Sequence, residues 1–478
     1  METLPLPLEV MQTIFAFSLD TRLLHPSRAP LLLTQICAEW RSVTLATPSL
    51  WSTLRVPVTD NVSVIPALRG WLDSSKTLPI DFEVDFSSHP ILLYTQNSYS
   101  KVLCTHASRW RKAIIKLRYE QSMSTFARLL SPGTLSMLQE IQLRPGWDEF
   151  STDFGESDRH PNWSLIALYN SCPALHTVSW EERGAVEALS QLSSHSIRCL
   201  RIDIYLENVR RPFNVSTLER CFSQCPNLSS LEMYLPYVDE DSITYDRDAG
   251  TPLVIPHLRE LSLTTANFSV LASLLARIQI PRLEELYIYV VSDADSADFA
   301  THLHDFLASC STSLRKIELV SDQVLRHPHT TPALSGLPNL TSLFLHDIYY
   351  PGVLTNLFKA LALRFSPSGR LISTQNVCLR HISLEIDHHT VQDAMNIRSE
   401  VAHQELEDFF AATVSLIVSR WKLPRNALSF DGHEVEPLTT FDVGQHFVDL
   451  YQHQYPSTWP SVAQGWKAVE GMISILQP

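Results

Sequence analysis

The segment Leu337-Pro338-Asn339-Leu340-Thr341-Ser342-Leu343-Phe344-Leu345 decides how this chain folds. A proline turn leads into leucines at 340, 343 and 345, and the alternation of the last two is that of a strand with one face turned inward. The same pattern, L-x-x-L-x-L with isoleucine, valine, methionine or tryptophan allowed, starts at Leu138, Leu175, Ile197, Leu228, Leu258, Leu283, Leu314 and Leu379. Several copies open on a similar turn, as in Cys172-Pro173, Cys225-Pro226-Asn227, Ile255-Pro256 and Ile280-Pro281. Apolar residues at helical spacing come before it, for example Leu271, Leu274, Leu275 and Ile278 ahead of Pro281. With Leu340 included, successive starts are 37, 22, 31, 30, 25, 31, 26 and 39 residues apart. One strand–helix unit cannot bury its own apolar face, whereas stacked copies can.

Those lengths resemble leucine-rich repeats of an irregular kind, with insertions. The expected fold is α/β: an N-terminal helical module over residues 1–56, an irregular leucine-rich-repeat solenoid over 57–390, and a C-terminal helical cap region over 391–478. An ordinary α/β domain of parallel strands and crossover helices shares the alternation; the similar connection lengths and the recurring proline turn favour the array. Weaker units are predicted upstream, with strands near Leu54–Val58, Ile80–Phe86 and Ala113–Leu117 and helices over Ser63–Leu72 and Ile91–Ala107. Past Leu384 the repeat fades, and Glu400–Trp421 reads as one amphipathic helix. The cap covers core that an open solenoid end would expose.

Composition narrows the chemistry. The 13 glycines are sparse and never closer than Gly465 and Gly471, six residues apart. Dinucleotide fingerprints, P-loops and nucleophile elbows all need closer glycines, so these sites are excluded. Acidic residues outnumber basic ones 51 to 37, a formal charge of −14, which argues against nucleic-acid backbone binding as the main task. The basic stretch Lys101 to Arg118 reads as a solvated helix end and strand face. The N-terminus lacks a secretory signal, and the largely apolar stretch Phe409–Val418, ten residues long, is too short to span a bilayer. Eight thinly spread cysteines offer no zinc-type pairs, and Cys221 with Cys225 reads as two buried thiols. A reduced, intracellular protein, cytoplasmic or nuclear, is expected, with no membrane partner.

The N-terminal residues read differently from the repeats. Leu6-Pro7-Leu8-Glu9-Val10-Met11 leads into Ile14 and Phe15, an apolar helix stripe with a proline near its start. A loop with two prolines follows, then Leu33, Ile36, Cys37, Trp40, Val43 and Leu45, closing on Pro48-Ser49-Leu50-Trp51. Leu6-Pro7-x-Glu9-Val10-Met11-x-x-Ile14-Phe15, Ile36-Cys37-x-x-Trp40-Arg41-x-Val43 and Thr47-Pro48-x-Leu50-Trp51 together resemble an F-box. The similarity is to the F-box-like proteins of fungi in particular, and His106-Ala-Ser-Arg109-Trp110-Arg-Lys resembles a downstream phrase of that family.

The resemblance implies a three-helix module that docks on a Skp-type adaptor and, through it, a cullin. The chain would then be the non-catalytic substrate-recognition subunit of an SCF-type ubiquitin ligase, with the array holding an unknown target protein. The motif positions carried over are Leu6, Pro7, Ile14, Phe15, Ile36, Cys37, Trp40 and Val43. In the family such residues partly face the adaptor and partly form the module's own core. The other reading of this apolar surplus is packing against the first repeat of the same chain. The alternative function is a repeat scaffold that binds a protein partner without ligase assembly.

A partner surface is expected on the sheet face that the core leucines leave free. Its aromatic and acidic candidates are Glu232, Tyr234, Tyr287, Tyr289, Phe344 and His346. The acidic, tyrosine-bearing insertion Leu235–Gly250 could capture a basic peptide. Histidines at 302/304, 327/329 and 388/389 read as surface loop residues, and no metal, cofactor or nucleophile–base constellation is assembled.

Overall fold

The predicted strands form with their repeat leucines turned into the core. A computed structural model of the chain describes residues 6–19, 23–59, 64–86, 93–117, 130, 133–145, 170, 172–183, 195–205, 213–235, 243–244, 252–290, 297–348, 351–367, 371–372, 376–386, 400–421, 423, 435, 437–444 and 473–476. Two compact units are present, Met1–Glu207 with Arg220–Leu228, and Asn208–Glu219 with Ser229–Pro478.

The first unit opens with helices Leu8–Phe17, Leu33–Ile36 and Ala38–Ala46 and the 3-10 turn Pro48–Trp51. Six parallel strands pair in chain order: Thr53–Val56, Ile80–Asp85, Trp110–Leu117, Glu140–Pro145, Thr177–Arg183 and Cys199–Tyr205. Register lines up Leu54, Phe82, Ala113, Ile141, Val178 and Leu200 as one buried row. Helices Val64–Ser74 and Leu93–Cys104 occupy the first two connections, close to their predicted ranges.

In the second unit eight parallel strands pair in chain order: Ser230–Leu235, Glu260–Thr265, Glu285–Val290, Lys316–Val320, Ser342–Ile348, His381–Ile386, Thr440–Gly444 and Ile473–Leu476. Leu231, Leu261, Leu286, Ile317, Leu343, Ile382 and Phe441 form one inward row. Met233, Leu263, Ile288, Leu319, Leu345 and Leu384 form the next, and every member of both rows is at most 1% exposed. Helices Phe268–Leu275, Ala297–Cys310, Thr330–Ser335, Leu354–Leu361 and Glu400–Trp421 lie in the connections.

The proline turns have a common hydrogen-bond plan. Leu175 N–H donates to Cys172 O, Leu228 to Cys225, Leu283 to Ile280 and Leu340 to Leu337, each closing a four-residue turn with proline second. Proline's fixed φ suits that position, so these turns do not need glycine. The residue before each strand then accepts two N–H groups from the next repeat: Arg259 O from Glu284 and Glu285, Glu284 O from Arg315 and Lys316. The turn asparagines reach back as well, Asn339 Nδ2 to Thr312 O at 2.7 Å and Asn227 Nδ2 to His195 O at 2.6 Å. Backbone groups at the lead-in edge are thereby satisfied repeat by repeat.

Three expectations change. Ile278 is not helical: the helix stops at Leu275, and Ile278–Gln279 pairs with Leu253–Val254 as a short parallel strand. His302 and His304 lie on the helix Ala297–Cys310, not on a surface loop. The sheet does not end at 390 before a helical cap: it gains the strands Thr440–Gly444, where Leu438-x-x-Phe441-x-Val443 repeats the pattern with phenylalanine in a leucine position, and Ile473–Leu476. Most of the Leu235–Gly250 insertion, His388, His389 and most of residues 431–478 lie outside the described residues.

Burial also fixes the thiols. Cys221 and Cys225 are fully buried, and burial pushes the Cys104 and Cys310 thiols up to about 12. A thiol whose folded pKa is raised ionises first in the unfolded chain. Its stabilising contribution is complete below about pH 9 and is lost as pH climbs toward 12. Unfolding free energy is therefore expected to fall by roughly 1.4 kcal/mol per pH unit per thiol across that window. Urea titrations of the Cys104→Ala, Cys310→Ala variant should show a shallower alkaline limb; an unchanged limb would refute the assignment.

Candidate adaptor and partner surfaces

Pro7 sets the start of the first helix, where Val10 and Met11 N–H donate to its carbonyl. Met11 and Phe15, one turn apart, point inward, and Phe15 is 1% exposed. Trp40 packs on Phe15 with ring centroids 4.9 Å apart. Leu33 and Val43 complete this small core. Cys37 has an extended backbone, and its sulfur accepts from Trp40 N–H at 3.5 Å, so it caps the helix Ala38–Ala46.

The remaining motif residues face outward. Leu6, Pro7, Ile14 and Ile36 are exposed, Ile14 by 47% and Ile36 by 52%. Beside Ile14 stand Val10 and Phe17, spaced four and three residues along one stripe, and Phe17 is 86% exposed. Leu8, Leu32 and Leu45 are also exposed. The motif thus separates into a core set, Phe15 and Val43 with half-buried Trp40 and Cys37, and a surface set, Leu6, Pro7, Ile14 and Ile36. Val10, Phe17, Leu32 and Leu45, which are not among the carried-over motif positions, join the surface set. Their signal was a helix with apolar residues on more than one face.

Packing against the first repeat is also present, but through other residues. Trp51 and Trp71 are both buried, with rings edge to face at 5.2 Å, and Trp71 Nε1 donates to Trp51 O at 2.9 Å. Arg109, in the family-like phrase, donates to Leu72 O and Ser75 Oγ, both at 3.0 Å, and to Lys76 O. It closes the end of the helix Val64–Ser74, where Lys76 turns left-handed at φ 52°. His106 beside it is lowered from its ordinary pKa by burial and then by the Arg109 charge.

On the second unit, the sheet face opposite the leucine rows carries the partner candidates in register. Glu232, Ser262, Tyr287, Glu318, Phe344, Ser383 and Asp442 form one row across neighbouring strands. Tyr234, Thr264 and Tyr289 are aligned beside it, as are Val320 and His346. Tyr289 is exposed, while Glu232, Tyr234, Tyr287, Phe344 and His346 are half-buried. Ser383, in the same row, is buried.

Lys316, which is not among the sequence-predicted candidates, ties them together. Its Nζ lies 4.6 Å from the Tyr287 ring centre and 4.9 Å from that of Phe344. It also donates to Tyr287 OH at 2.8 Å, and Tyr287 OH donates to Glu285 at 2.5 Å. Burial draws the Lys316 ammonium down, but the Tyr287 hydrogen bond and the Tyr287, Glu285 and Glu318 charges outweigh it, so its pKa is raised. Phe344 lies 4.8 Å from His381, and His346 sits between Glu385 at 2.9 Å and Glu318 at 3.8 Å. The result is an aromatic strip edged with acids, pinned by one lysine.

The first unit's face is different in kind. Arg111 pairs with Asp81 at 2.6 Å, Lys112 with Glu140 at 2.7 Å, and Lys116 with Asp85 and Glu83 at 3.3 and 3.7 Å. Three of the six cations of the basic stretch are thus paired with acids on flanking strands, which reduces the charge open to a phosphate backbone. His304, His327 and His329 come together, with ring centres 6.5 and 5.3 Å apart. Among the described residues no group of histidine, cysteine or acidic side chains is arranged to hold a metal ion. No helix among them is long and apolar enough to cross a membrane.

No protein-family model matches the chain, and no curated protein matches it. Among solved structures, the crystal structure of the Rad7 and Elc1 complex in yeast is similar at 15% identity, covering 80% of this chain and 90% of that one, with a TM-score of 0.41. The TLR13–ssRNA13 complex is similar at 11% identity, covering 84% of this chain and 59% of that one, with a TM-score of 0.30. The repeat architecture therefore rests on the strand register and the leucine rows rather than on these likenesses.

Proposed function

We propose that the chain is the non-catalytic substrate-recognition subunit of an SCF-type cullin–RING ubiquitin ligase, acting in the cytoplasm or nucleus. In this reading residues 1–56 are the F-box and the leucine-rich-repeat array begins at 57 and runs past 390 to include the strands Thr440–Gly444 and Ile473–Leu476. The F-box docks on a Skp-type adaptor that leads to a cullin, and the array's aromatic, acidic face holds the target protein. The observation that carries this reading is the outward apolar set of Leu6, Val10, Ile14, Phe17, Leu32 and Ile36, exposed on and just before the first two helices while Met11, Phe15, Leu33 and Val43 are buried. Exposed apolar residues concentrated in this way mark a protein-binding surface. Co-purification tests it: the full chain, tagged at its C-terminus, should retain a recombinant Skp-type adaptor from the same organism, and Leu6→Ala with Ile14→Ala should release it. Failure of the wild-type chain to hold any such adaptor would replace this reading with a scaffold that binds its partner through the repeats alone.

A further inference from the structure

The lead-in turns of the second unit carry a chemistry that neither the adaptor surface nor the aromatic face uses. Residues immediately before neighbouring strands stand side by side, because the strands pair in register: Arg259, Glu284, Arg315, Thr341 and Arg380. Together with Arg282 they line a cleft of about 390 Å³, within the range of roughly 300–1,000 Å³ usual for small-ligand sites. Four of its lining residues are arginines and one is a glutamate, a local surplus of three positive charges on a chain of net charge −14.

Two of these charges, on Arg282 and Arg315, are not neutralised locally. Glu284 pairs with Arg259 at 3.5 Å, which accounts for the cleft's own carboxylate. Among the described residues the Arg282 and Arg315 guanidinium groups make no ion pair or hydrogen bond. The backbone cannot supply the counter-charge, since the carbonyls of Arg259, Glu284, Arg315 and Thr341 already accept two N–H groups each. Arg315 and Arg380 flank Thr341 from two strands apart, a Cα separation of about 10 Å at the usual strand spacing. Arginines lining the cleft on the strands either side of one threonine suit a tetrahedral oxyanion, which accepts several paired N–H bonds and carries up to two charges. A single carboxylate would satisfy only one of them, as Glu284 does for Arg259.

We propose that this cleft binds a phosphate monoester, gripped by Arg282, Arg315 and Arg380. The site is built within the second unit and does not depend on adaptor docking, so the two readings fail separately. Calorimetric titration of the full chain tests it with three probes: inorganic phosphate, a glycine-flanked phosphoserine peptide, and the same peptide unphosphorylated. Phosphate-bearing probes should bind and the unphosphorylated peptide should not. Tighter binding of the phosphopeptide identifies a phosphorylated protein side chain as the source, and equal binding of inorganic phosphate identifies a free phosphate compound. Arg315→Ala with Arg380→Ala should weaken binding at least tenfold, and Arg282→Gln with Arg315→Gln serves if the first pair fails to fold. Arg69→Ala with Lys101→Ala, an equal loss of exposed charge elsewhere, should change nothing. Silence with both phosphate probes, or an equal loss in the Arg69, Lys101 control, would overturn the assignment.

Discussion

Exchanging Ile14 and Phe17 for aspartate is expected to abolish adaptor capture, a loss of at least about 100-fold, while leaving the protein as stable as before. Both side chains lie on the outward stripe of the first helix and contribute little to its core. Substitutions at such exposed sites usually change stability by no more than about 0.5 kcal/mol. Placing two carboxylates in an apolar interface strips them of water without a partner, at several kcal/mol each. The neighbouring residue gives the opposite result. Phe15→Ala empties the core against Trp40 and should cost about 3–5 kcal/mol before any effect on binding is read. Thermal melts and adaptor pull-downs on both variants separate the two roles. Normal capture by the double aspartate variant would show that the outward stripe is not the docking surface.

The second large effect is expected at Trp71. Replacement by alanine removes a buried ring that packs edge to face on Trp51, and it deprives the Trp51 carbonyl of its donor. Aromatic-to-alanine changes in a packed core cost about 3–5 kcal/mol, and an orphaned buried carbonyl adds about 1–3 kcal/mol. That is a large fraction of the roughly 5–15 kcal/mol that holds a domain together. Trp71→Phe keeps most of the ring but not the indole N–H, so it should lose only the hydrogen-bond share. Urea unfolding followed by tryptophan fluorescence should rank wild type, Trp71→Phe and Trp71→Ala in that order. Equal stability of the two variants would mean that the hydrogen bond, not the packing, joins the helix Val64–Ser74 to the Trp51 turn.

Repetition made most of the fold legible. Leu340, Leu343 and Leu345 recur with one spacing because each strand must turn the same positions inward, and that constraint is written in the residue order. The strand Thr440–Gly444 escaped because Phe441 takes a leucine position, and a pattern search sees residue types while packing sees volume. Ile278 leaves the helix for a related reason. Its spacing from Leu274 and Leu271 fits a helix, but pairing with Leu253 claims its backbone instead.

The candidate surfaces were legible only in part. Tyr287 and Phe344 could be placed on a common face by alternation, yet Lys316, which lies between them, was invisible as a contact because it is 29 residues from one and 28 from the other. The arginines of the lead-in turns are likewise scattered in the chain and adjacent only through register.

The residue order by itself determined the repeat, the parallel strands and the helical character of the first residues, since these follow from periodicities of two and 3.6. Only the tertiary structure decided that Phe15 is core while Ile14 is surface, and that Lys101–Arg118 pairs three of its six cations with acids on neighbouring strands. Periodicity says which residues share a face. What lies against that face is set by segments distant in the chain, and only their packing shows which side chains remain open to a partner.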